Sequence, residues 1–382
     1  MKVLTVLSLM DPITGGGIMD RICQLNRCLI RKGHSCTILA TSLGWDQTFI
    51  DNFEGLEAVS LPCLSKRYMI PSGAGNWLDK NIRRFDIVHL AGNWSPINVL
   101  AYMAAMKHNV PYVFSAMGAL DIIGRSNLLK HMFRFLWTRP MLRNANAVIA
   151  ISPREYRDYV RFGVPETNIC LIPNGITIDG LDKRDDKAFR ERYGLDSRKI
   201  VLFIGRLSPG KGADLLVEAF SSITGDFPDC QLLIFGNDHG GFQSKVEETI
   251  DAFNMRNTVR ILPPIFGIEK SWAYHAAELI VLPSRYDTMT IIALEAAVCG
   301  CPVLITDQCD FAAIGDNGGL VVSCDAGALA DGMRVVLGDC IVRREMGSVA
   351  QEFVLKTYQW DKISDDFIRL FVKAIDSHSS FL

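Results

Sequence analysis

Short apolar runs alternate with longer amphipathic segments along the first half of the chain. Each run is rich in valine, isoleucine and leucine and ends at a glycine, a proline or a polar turn, as β-strands do. The predicted strands are residues 3–9, 35–40, 86–91, 112–115 and 147–151. Strands that alternate with helices indicate βαβ units and a parallel sheet.

The same alternation starts again in the second half, after a turn at residues 173–177 and a charged stretch at 179–198. The predicted strands there are residues 199–205, 231–235, 259–262, 279–282, 302–305 and 319–322. We therefore predict an α/β protein with two Rossmann-like domains, residues 1–178 and 195–359. An amphipathic C-terminal helix within residues 360–382 is expected to pack back on the first domain.

The composition is that of a globular protein. The chain has 382 residues, of which 49% are hydrophobic, and a net charge of −2, so we expect no nucleic-acid partner. The eleven cysteines form no CxxC pair and are expected to be reduced, buried thiols of a cytoplasmic protein. The apolar runs are all shorter than the roughly 18 residues of a membrane span.

Two glycine-containing loops follow predicted first strands. Gly15, Gly16 and Gly17 precede a helix, where backbone amides favour an anion; a tight structural turn is the alternative. The second loop, residues 205–212, adds Arg206 and Lys211, a fork and a point charge that suit a diphosphate. Solvated surface charge is the alternative there. Neither loop matches the GxGxxG or Walker A pattern.

A pair of carboxylates, Asp287 and Glu295, lies eight residues apart. Asp287 follows the predicted strand 279–282, and Glu295 lies on the helix behind it. Open α/β sheets bind ligands at the carboxyl ends of their strands. The two carboxylates are therefore expected to meet one ligand.

Together these features resemble the retaining, GT-B-fold glycosyltransferases of family 4, with two domains that face each other across a cleft. The resemblance covers most of the chain and is strongest in the second domain. It is carried by Arg206 and Lys211 in their loop, by the acid-x7-Glu pair, and by residues 172–176, 203–207, 232–236, 281–284 and 300–303.

The resemblance implies a role for each matching residue. Arg206 and Lys211 would hold the donor diphosphate, Asp287 the donor sugar and Glu295 the ribose. Further donor contacts would come from Gly16, Gly17, Ile265, Thr288, Met289 and Thr290. Asp287, Arg206 and Lys211 are the candidate catalytic residues. The leaving diphosphate would take the acceptor's proton on the same face of the sugar, with the positive charges stabilising it.

Three positions depart from the family pattern. The family usually has Glu at the position of Asp287, Gly at that of Thr290, and His or Arg at that of Met117. A shorter acid and a side chain at residue 290 change the donor pocket, and methionine cannot accept a proton. The chain lacks a DxD triplet, and we expect neither a metal nor another cofactor beside the nucleotide sugar.

The acceptor side carries weaker signals. His89, Asn93 and Trp94 are assigned to a loop after a first-domain strand, where Asn93, Trp94 and Met117 are acceptor-binding candidates. Residues 125–143 form a basic amphipathic segment. Such a helix suits an anionic membrane surface, although packing one face on the core explains it as well.

The predicted function is transfer of a sugar from a nucleotide sugar to a glycan or lipid-linked acceptor, in polysaccharide or glycolipid synthesis. We keep open a peripheral location on the inner face of the plasma membrane. The alternatives are a sugar-nucleotide epimerase, a phosphorylase, or a nonenzymatic binding module that retains the fold. The base, the sugar, the acceptor, the linkage and the oligomeric state stay open.

Overall fold

A computed structural model of the protein describes residues 1–11, 16–122 and 126–380. The chain divides into two compact units, Met1–Gly175 with Trp360–Leu382, and Ile176–Gln359. The predicted domains ended at residue 178 and began again at residue 195. The structure places the intervening residues 179–194 in the second unit.

The first unit is built on a seven-stranded parallel sheet. Its strands, with a short hairpin of β4 and β5, are β1 (Lys2–Leu9), β2 (Ser35–Thr41), β3 (Leu56–Leu61), β4 (Cys63–Ser65), β5 (Ile70–Pro71), β6 (Ile87–Ala91), β7 (Tyr112–Ser115), β8 (Ala147–Ala150) and β9 (Ile169–Leu171). Its helices are α1 (Gly16–Arg31), α2 (Gln47–Ile50), α3 (Ala74–Asn81), α4 (Pro96–His108), α5 (Asn127–Phe133), α6 (Arg139–Arg143) and α7 (Pro153–Arg161).

The strand order of this sheet is β3-β2-β1-β6-β7-β8-β9. The central strands are covered on both faces, which explains their nearly continuous apolar sequences. Val3 and Leu4 of β1 show the pattern, since they point to opposite faces and neither is exposed to solvent. The order reverses between β1 and β6, so the loops after these two strands diverge at the carboxyl edge of the sheet.

The second unit has a six-stranded parallel sheet in the order β12-β11-β10-β13-β14-β15. Its strands are β10 (Lys199–Ile204), β11 (Cys230–Phe235), β12 (Val259–Leu262), β13 (Leu279–Leu282), β14 (Val303–Thr306) and β15 (Leu320–Val322). Its helices are α8 (Asp186–Tyr193), α9 (Ala213–Ser221), α10 (Phe242–Ala252), α11 (Gly267–Ala276), α12 (Ile291–Val298), α13 (Ala326–Gly338) and α14 (Cys340–Thr357). The order reverses between β10 and β13, which are hydrogen-bonded neighbours.

The last helix, α15 (Trp360–Ser379), belongs to the first unit, as expected from its amphipathic sequence. Ile363, Phe367, Phe371 and Ala374 recur at helical spacing and are buried in one cluster with the apolar residues of β1, α1 and β8. At the start of the helix, the Trp360 ring lies so close to Gly175 that a Cβ there would be 2.4 Å from it. The helix is therefore part of the first unit's core.

The state of the cysteines and the lengths of the helices are consistent with a protein whose apolar residues form buried layers. All eleven cysteines are free thiols, and Cys340 is the exposed one among them. Among the described residues, we find no helix with the length and apolar character needed to cross a membrane.

His89 is misplaced by the sequence analysis. It lies inside β6 rather than in the loop after it, and its side chain is fully buried beside the rings of Phe367 and Phe371 at 5.9 and 6.0 Å. Within the described part of the chain, neither ring nitrogen has a hydrogen-bond partner. Burial, and secondarily the charge of Arg21, lowers the pKa of His89 to about 3.

This histidine predicts a loss of stability in acid. In the unfolded chain, this histidine binds a proton below its pKa of roughly 6.5. In the folded chain, it binds the proton only at about pH 3 and below, so acid favours the unfolded state. Replacing His89 by Leu should remove about 2 to 3 kcal/mol of the fall in unfolding free energy between pH 7 and 4.5. Urea titrations across this range measure the difference.

His131→Leu, a change at an exposed histidine of the same unit, is the control and should keep the wild-type pH dependence. Equal pH dependence in His89→Leu and the wild type would show that folding does not lower the pKa of His89.

Candidate functional site

The candidate site lies where the strand order of the second unit reverses. Residues 205–212 follow β10 and residues 283–290 follow β13, so both loops leave the carboxyl edge of the sheet from neighbouring strands. Open α/β sheets bind ligands at this position. The sequence assigned Arg206 and Lys211 to the first loop and Asp287 to the second, and the pairing of the two strands brings them to one place.

Arg285 joins the two loops. Its backbone N–H donates to the Gly210 carbonyl at 2.8 Å, and its guanidinium donates to the Pro209 carbonyl at 2.9 Å. The same guanidinium forms a two-pronged ion pair with Asp214, at 2.8 and 2.9 Å, in the first turn of α9. Bidentate pairs of this kind fix geometry as well as adding energy. The loops consequently form one rigid surface.

Gly212 makes the close approach of these loops feasible. Its φ of +71° lies in the left-handed region, and a Cβ would stand 2.1 Å from the Pro283 carbonyl oxygen. Any side chain would separate the loops that carry Lys211 and Asp287. The glycine in the loop therefore has a structural reason independent of ligand binding.

Lys211 and Asp287 form an ion pair at the centre of this surface. The ammonium Nζ lies 2.5 Å from Asp287 Oδ2, and the two side chains are 24% and 16% exposed. Asp287 is further held by its own loop, because its N–H donates to the Gln308 carbonyl at 3.1 Å and its Oδ1 accepts from the Thr288 N–H at 2.9 Å. The carboxylate is thus fixed beside a lysine.

Arg206 has the opposite environment. It is exposed to solvent and, among the described residues, forms no hydrogen bond or ion pair. Its backbone is nevertheless fixed, since the next residue, Leu207, donates to the Asn237 carbonyl at 2.9 Å and is buried. A guanidinium on an ordered loop with its donors unused is suited to bind an anion.

Glu295 lies on α12 and accepts hydrogen bonds from two side chains of α11. Lys270 Nζ lies 2.7 Å from Oε1 and 2.5 Å from Oε2, and the Tyr274 hydroxyl lies 2.6 Å from Oε2. Burial, and secondarily Glu295, raises the pKa of Tyr274 well above its ordinary value. The sequence analysis did not select Lys270 or Tyr274. Their spacing of one helical turn was the available signal, because it puts both on one face of α11.

The segment between the two carboxylates begins a helix. Met289 has a φ of +45° and is buried, and its N–H donates to the Cys309 carbonyl at 3.1 Å. Thr290 is the N-cap of α12 and is also buried, while Thr288 is half-buried. The first N–H groups of a helix lack partners within it and attract anions. The donor-binding roles of these three residues stay predictions.

Ile265 lies between β12 and α11, and its side chain is buried in the core cluster of the second unit. The adjacent Phe266 is 58% exposed instead. Backbone direction decides which of the two side chains meets solvent, and the sequence alone did not show it. The prediction that Ile265 flanks a base stays untested, and Phe266 is an additional candidate for such a contact.

The first-unit candidates lie on loops after β1, β6 and β7. α1 begins at Gly16, and Gly17 is exposed, whereas Gly15 lies outside the described residues. Asn93 is buried; its amide donates to the Ala119 carbonyl at 3.2 Å and accepts from the Thr138 hydroxyl at 2.9 Å. The side-chain amide of Asn93 is therefore already used in two hydrogen bonds within the fold.

Trp94 is half-buried, with a φ of +43°, and its ring lies near Phe133 and Lys130. The ring centroids of Trp94 and Phe133 are 5.7 Å apart, and Lys130 Nζ lies 5.8 Å from the indole. An acceptor-binding role for Trp94 stays a prediction.

Met117 packs into the first unit's core and has a φ of +55°. Its loop is held by α7, because the Gly118 N–H donates to Glu155 at 2.7 Å and the Ala116 N–H donates to the Tyr159 hydroxyl at 2.8 Å. Burial raises the pKa of Glu155 to about 7. Glu155 and Tyr159 were not selected from the sequence, since nothing in the chain order links α7 to this loop.

The basic amphipathic segment consists of α5, a π-helical stretch at Arg134–Thr138, and α6. Residue 125 lies outside the described residues. Large apolar side chains that are 51–75% exposed follow one another here, at Leu128, Leu129, Met132, Phe135 and Leu136. Arg134 anchors the segment by donating to the Leu120 carbonyl at 3.0 Å. The segment therefore presents both apolar and basic side chains to solvent.

No cluster of three or more histidine, cysteine, aspartate or glutamate side chains suited to a metal ion occurs in the described ranges. The expectation that the reaction uses no metal is not tested by this finding.

Comparisons with known proteins identify the family. Residues 185–353 match the family model of glycosyl transferases group 1, and residues 15–179 match that of glycosyltransferase family 4. The chain belongs to this glycosyltransferase family. The two matches meet near residues 179–185, within the connection between the predicted domains.

Several relatives and solved structures are similar to this chain over nearly its whole length. An uncharacterized glycosyltransferase of Methanocaldococcus jannaschii is 25% identical over 98% of this chain and 99% of its own. A D-inositol 3-phosphate glycosyltransferase of Xylanimonas cellulosilytica is 24% identical over 95% and 94%. The Anabaena protein HepE, solved in complex with UDP, has a TM-score of 0.80 at 17% identity over 97% and 99%. The fold is GT-B, as predicted.

The close contact at Gly212 predicts that an alanine there destabilises the protein far more than an alanine at Gly210 of the same loop. Gly212→Ala should lower the free energy of unfolding by about 2 to 4 kcal/mol, because of its positive φ and the clash with Pro283. Gly210→Ala is the control, since a Cβ there would be 3.8 Å from the Tyr286 carbonyl, an ordinary contact. Urea denaturation of both variants measures the difference, and equal stabilities would refute the packing of the two loops.

Proposed function

We propose that the protein transfers a sugar, with retention of configuration, from a nucleoside diphosphate sugar to a glycan or lipid-linked acceptor. The observation that carries the proposal is the group formed by Arg206, Lys211 and Asp287 at the reversal of strand order, with Glu295 on the helix that follows. The Anabaena HepE structures with UDP and with UDP-glucose support a donor of this class.

The diphosphate would bind to the cations of the first loop. Arg206 has all its donors available within the described part of the chain. Lys211 has three ammonium protons, so it can keep its contact with Asp287 while it donates to a phosphate oxygen. Asp287 then lies beside the phosphate and the attached sugar, where its carboxylate accepts hydrogen bonds from sugar hydroxyls.

In the transfer step, the bond from the anomeric carbon to the diphosphate oxygen breaks, and a bond from that carbon to the acceptor oxygen forms on the same face. The acceptor's proton passes to the departing diphosphate. Arg206 and Lys211 stabilise the negative charge that develops there. Since these side chains supply the positive charge, the proposal requires no divalent metal.

The lipid-linked acceptor is proposed to be reached by docking at a membrane surface. Leu128, Phe135 and their exposed apolar neighbours would enter the interface, while Lys130 and Arg139 lie among them and attract anionic lipid. The proposed location is peripheral, on the cytoplasmic face of a membrane, and it fits a role in glycolipid or polysaccharide synthesis.

Arg206→Ala and Lys211→Ala should each reduce turnover by roughly 10²-fold, because each removes a preorganised positive charge from the leaving group. The donor base is first selected by thermal shift with UDP, GDP, ADP and CMP and their sugar conjugates. Turnover is then measured as acceptor-dependent release of the nucleotide, with EDTA present.

Lys245→Ala is the control for these variants, because Lys245 is an exposed lysine on α10 that forms a surface ion pair with Glu248. Near-wild-type turnover in Arg206→Ala and Lys211→Ala would refute the diphosphate site. Loss of wild-type turnover in EDTA, restored by magnesium, would refute the metal-free mechanism. Nucleotide binding without transfer to any acceptor would favour a binding module.

Binding to vesicles tests the membrane contact. Leu128→Ser with Phe135→Ser should weaken cosedimentation with phosphatidylglycerol vesicles at least tenfold, since each side chain contributes on the order of 1.5 to 3 kcal/mol when buried. The control is Val335→Ser with Ile341→Ser, two comparably exposed apolar residues of the second unit. If the first pair bound as well as the control, the docking surface would lie elsewhere.

A further inference from the structure

We propose that Lys270 is a positioning residue: together with Tyr274 it fixes the Glu295 carboxylate so that this carboxylate selects nucleotides by their ribose hydroxyls. The inference rests on the proposed function and on the role that the family resemblance implies for Glu295, which is to hold the ribose of the donor. It adds a residue on α11 that the sequence analysis did not select, and a measurable selectivity.

The geometry shows a carboxylate that is fixed before any ligand arrives. Lys270 lies within 2.7 Å of both oxygens of Glu295, and Tyr274 donates to Oε2 at 2.6 Å. The Lys270 and Glu295 side chains are only 19% and 14% exposed. Exposed ion pairs are screened and mobile, whereas a largely buried pair with a third hydrogen bond holds one arrangement.

The chemistry requires this fixation. Each carboxylate oxygen accepts more than one hydrogen bond, so Glu295 retains lone pairs for two ribose hydroxyls after Lys270 and Tyr274 have bound. Without the lysine, Glu295 gains rotamer freedom that ribose binding would have to remove, and the hydroxyls would lose part of their contribution to affinity.

A comparable ion pair at the opposite edge of the sheet provides the matched control. Arg343 lies 2.8 Å from Glu278, the two side chains are 14% and 33% exposed, and Glu278 immediately precedes β13 at the amino ends of the strands. Breaking this pair removes a similar interaction from the same unit at the edge away from the site.

The experiment compares dissociation constants for UDP and for 2′,3′-dideoxy-UDP by calorimetry. The wild type should prefer UDP by at least tenfold, the scale of hydroxyls bound by a fixed carboxylate. Lys270→Met should lower this preference about tenfold, mainly by weakening UDP, and Lys270→Arg should restore most of it. Arg343→Met should leave the ratio of the two constants unchanged. A loss of protein stability alone would weaken the binding of both ligands equally and leave the ratio of their dissociation constants unchanged.

The outcomes separate the two proposals. If the wild type binds none of UDP, GDP, ADP and CMP or their sugar conjugates, the proposed function fails and the inference fails with it. If the wild type binds and discriminates but Lys270→Met keeps the wild-type ratio, the role of Lys270 is refuted while the proposed function stands. Binding of UDP without any preference over the dideoxy analogue also refutes the positioning role.

Discussion

The parallel pairing of β10 with β13 is the constraint on which the candidate site depends. The two strands are far apart in the chain, and their hydrogen bonds bring the loops at 205–212 and 283–290 to the same point of the sheet edge. Gly212 then lets the loops touch, and Arg285 fastens them. With Gly212 and Arg285 in place, Lys211 of one loop and Asp287 of the other form an ion pair. The charges of the site are thus a consequence of sheet topology.

The sequence predicted the members of this site that stand directly after apolar strands. Arg206, Lys211 and Asp287 could be predicted because each lies in a loop that follows an apolar strand. The strands end at one edge of the sheet, so a charged residue just beyond a strand has a defined position. Lys270, Tyr274 and Glu155 could not be found in this way. They lie within helices, and their partners are set by how those helices pack, which no local pattern encodes.

The error in placing His89 has the same physical origin. His89 was assigned to a loop, yet it lies within β6 and the rings of α15 cover it. Ile265 is buried and the adjacent Phe266 is exposed, and the backbone direction that decides this cannot be read from the sequence. Asn93 shows that a polar residue near a loop is as easily used to hold the fold as to bind a ligand.

The position of α15 has a consequence for synthesis of the protein on the ribosome. The helix completes the core of the first unit, yet it follows the entire second unit in the chain. Folding during translation normally proceeds from the amino-terminal domain onward. Here the whole second unit is synthesised before α15, so the first unit must wait for this helix with the apolar surface of β1 and α1 uncovered. The unit that begins the chain is the one that finishes folding last.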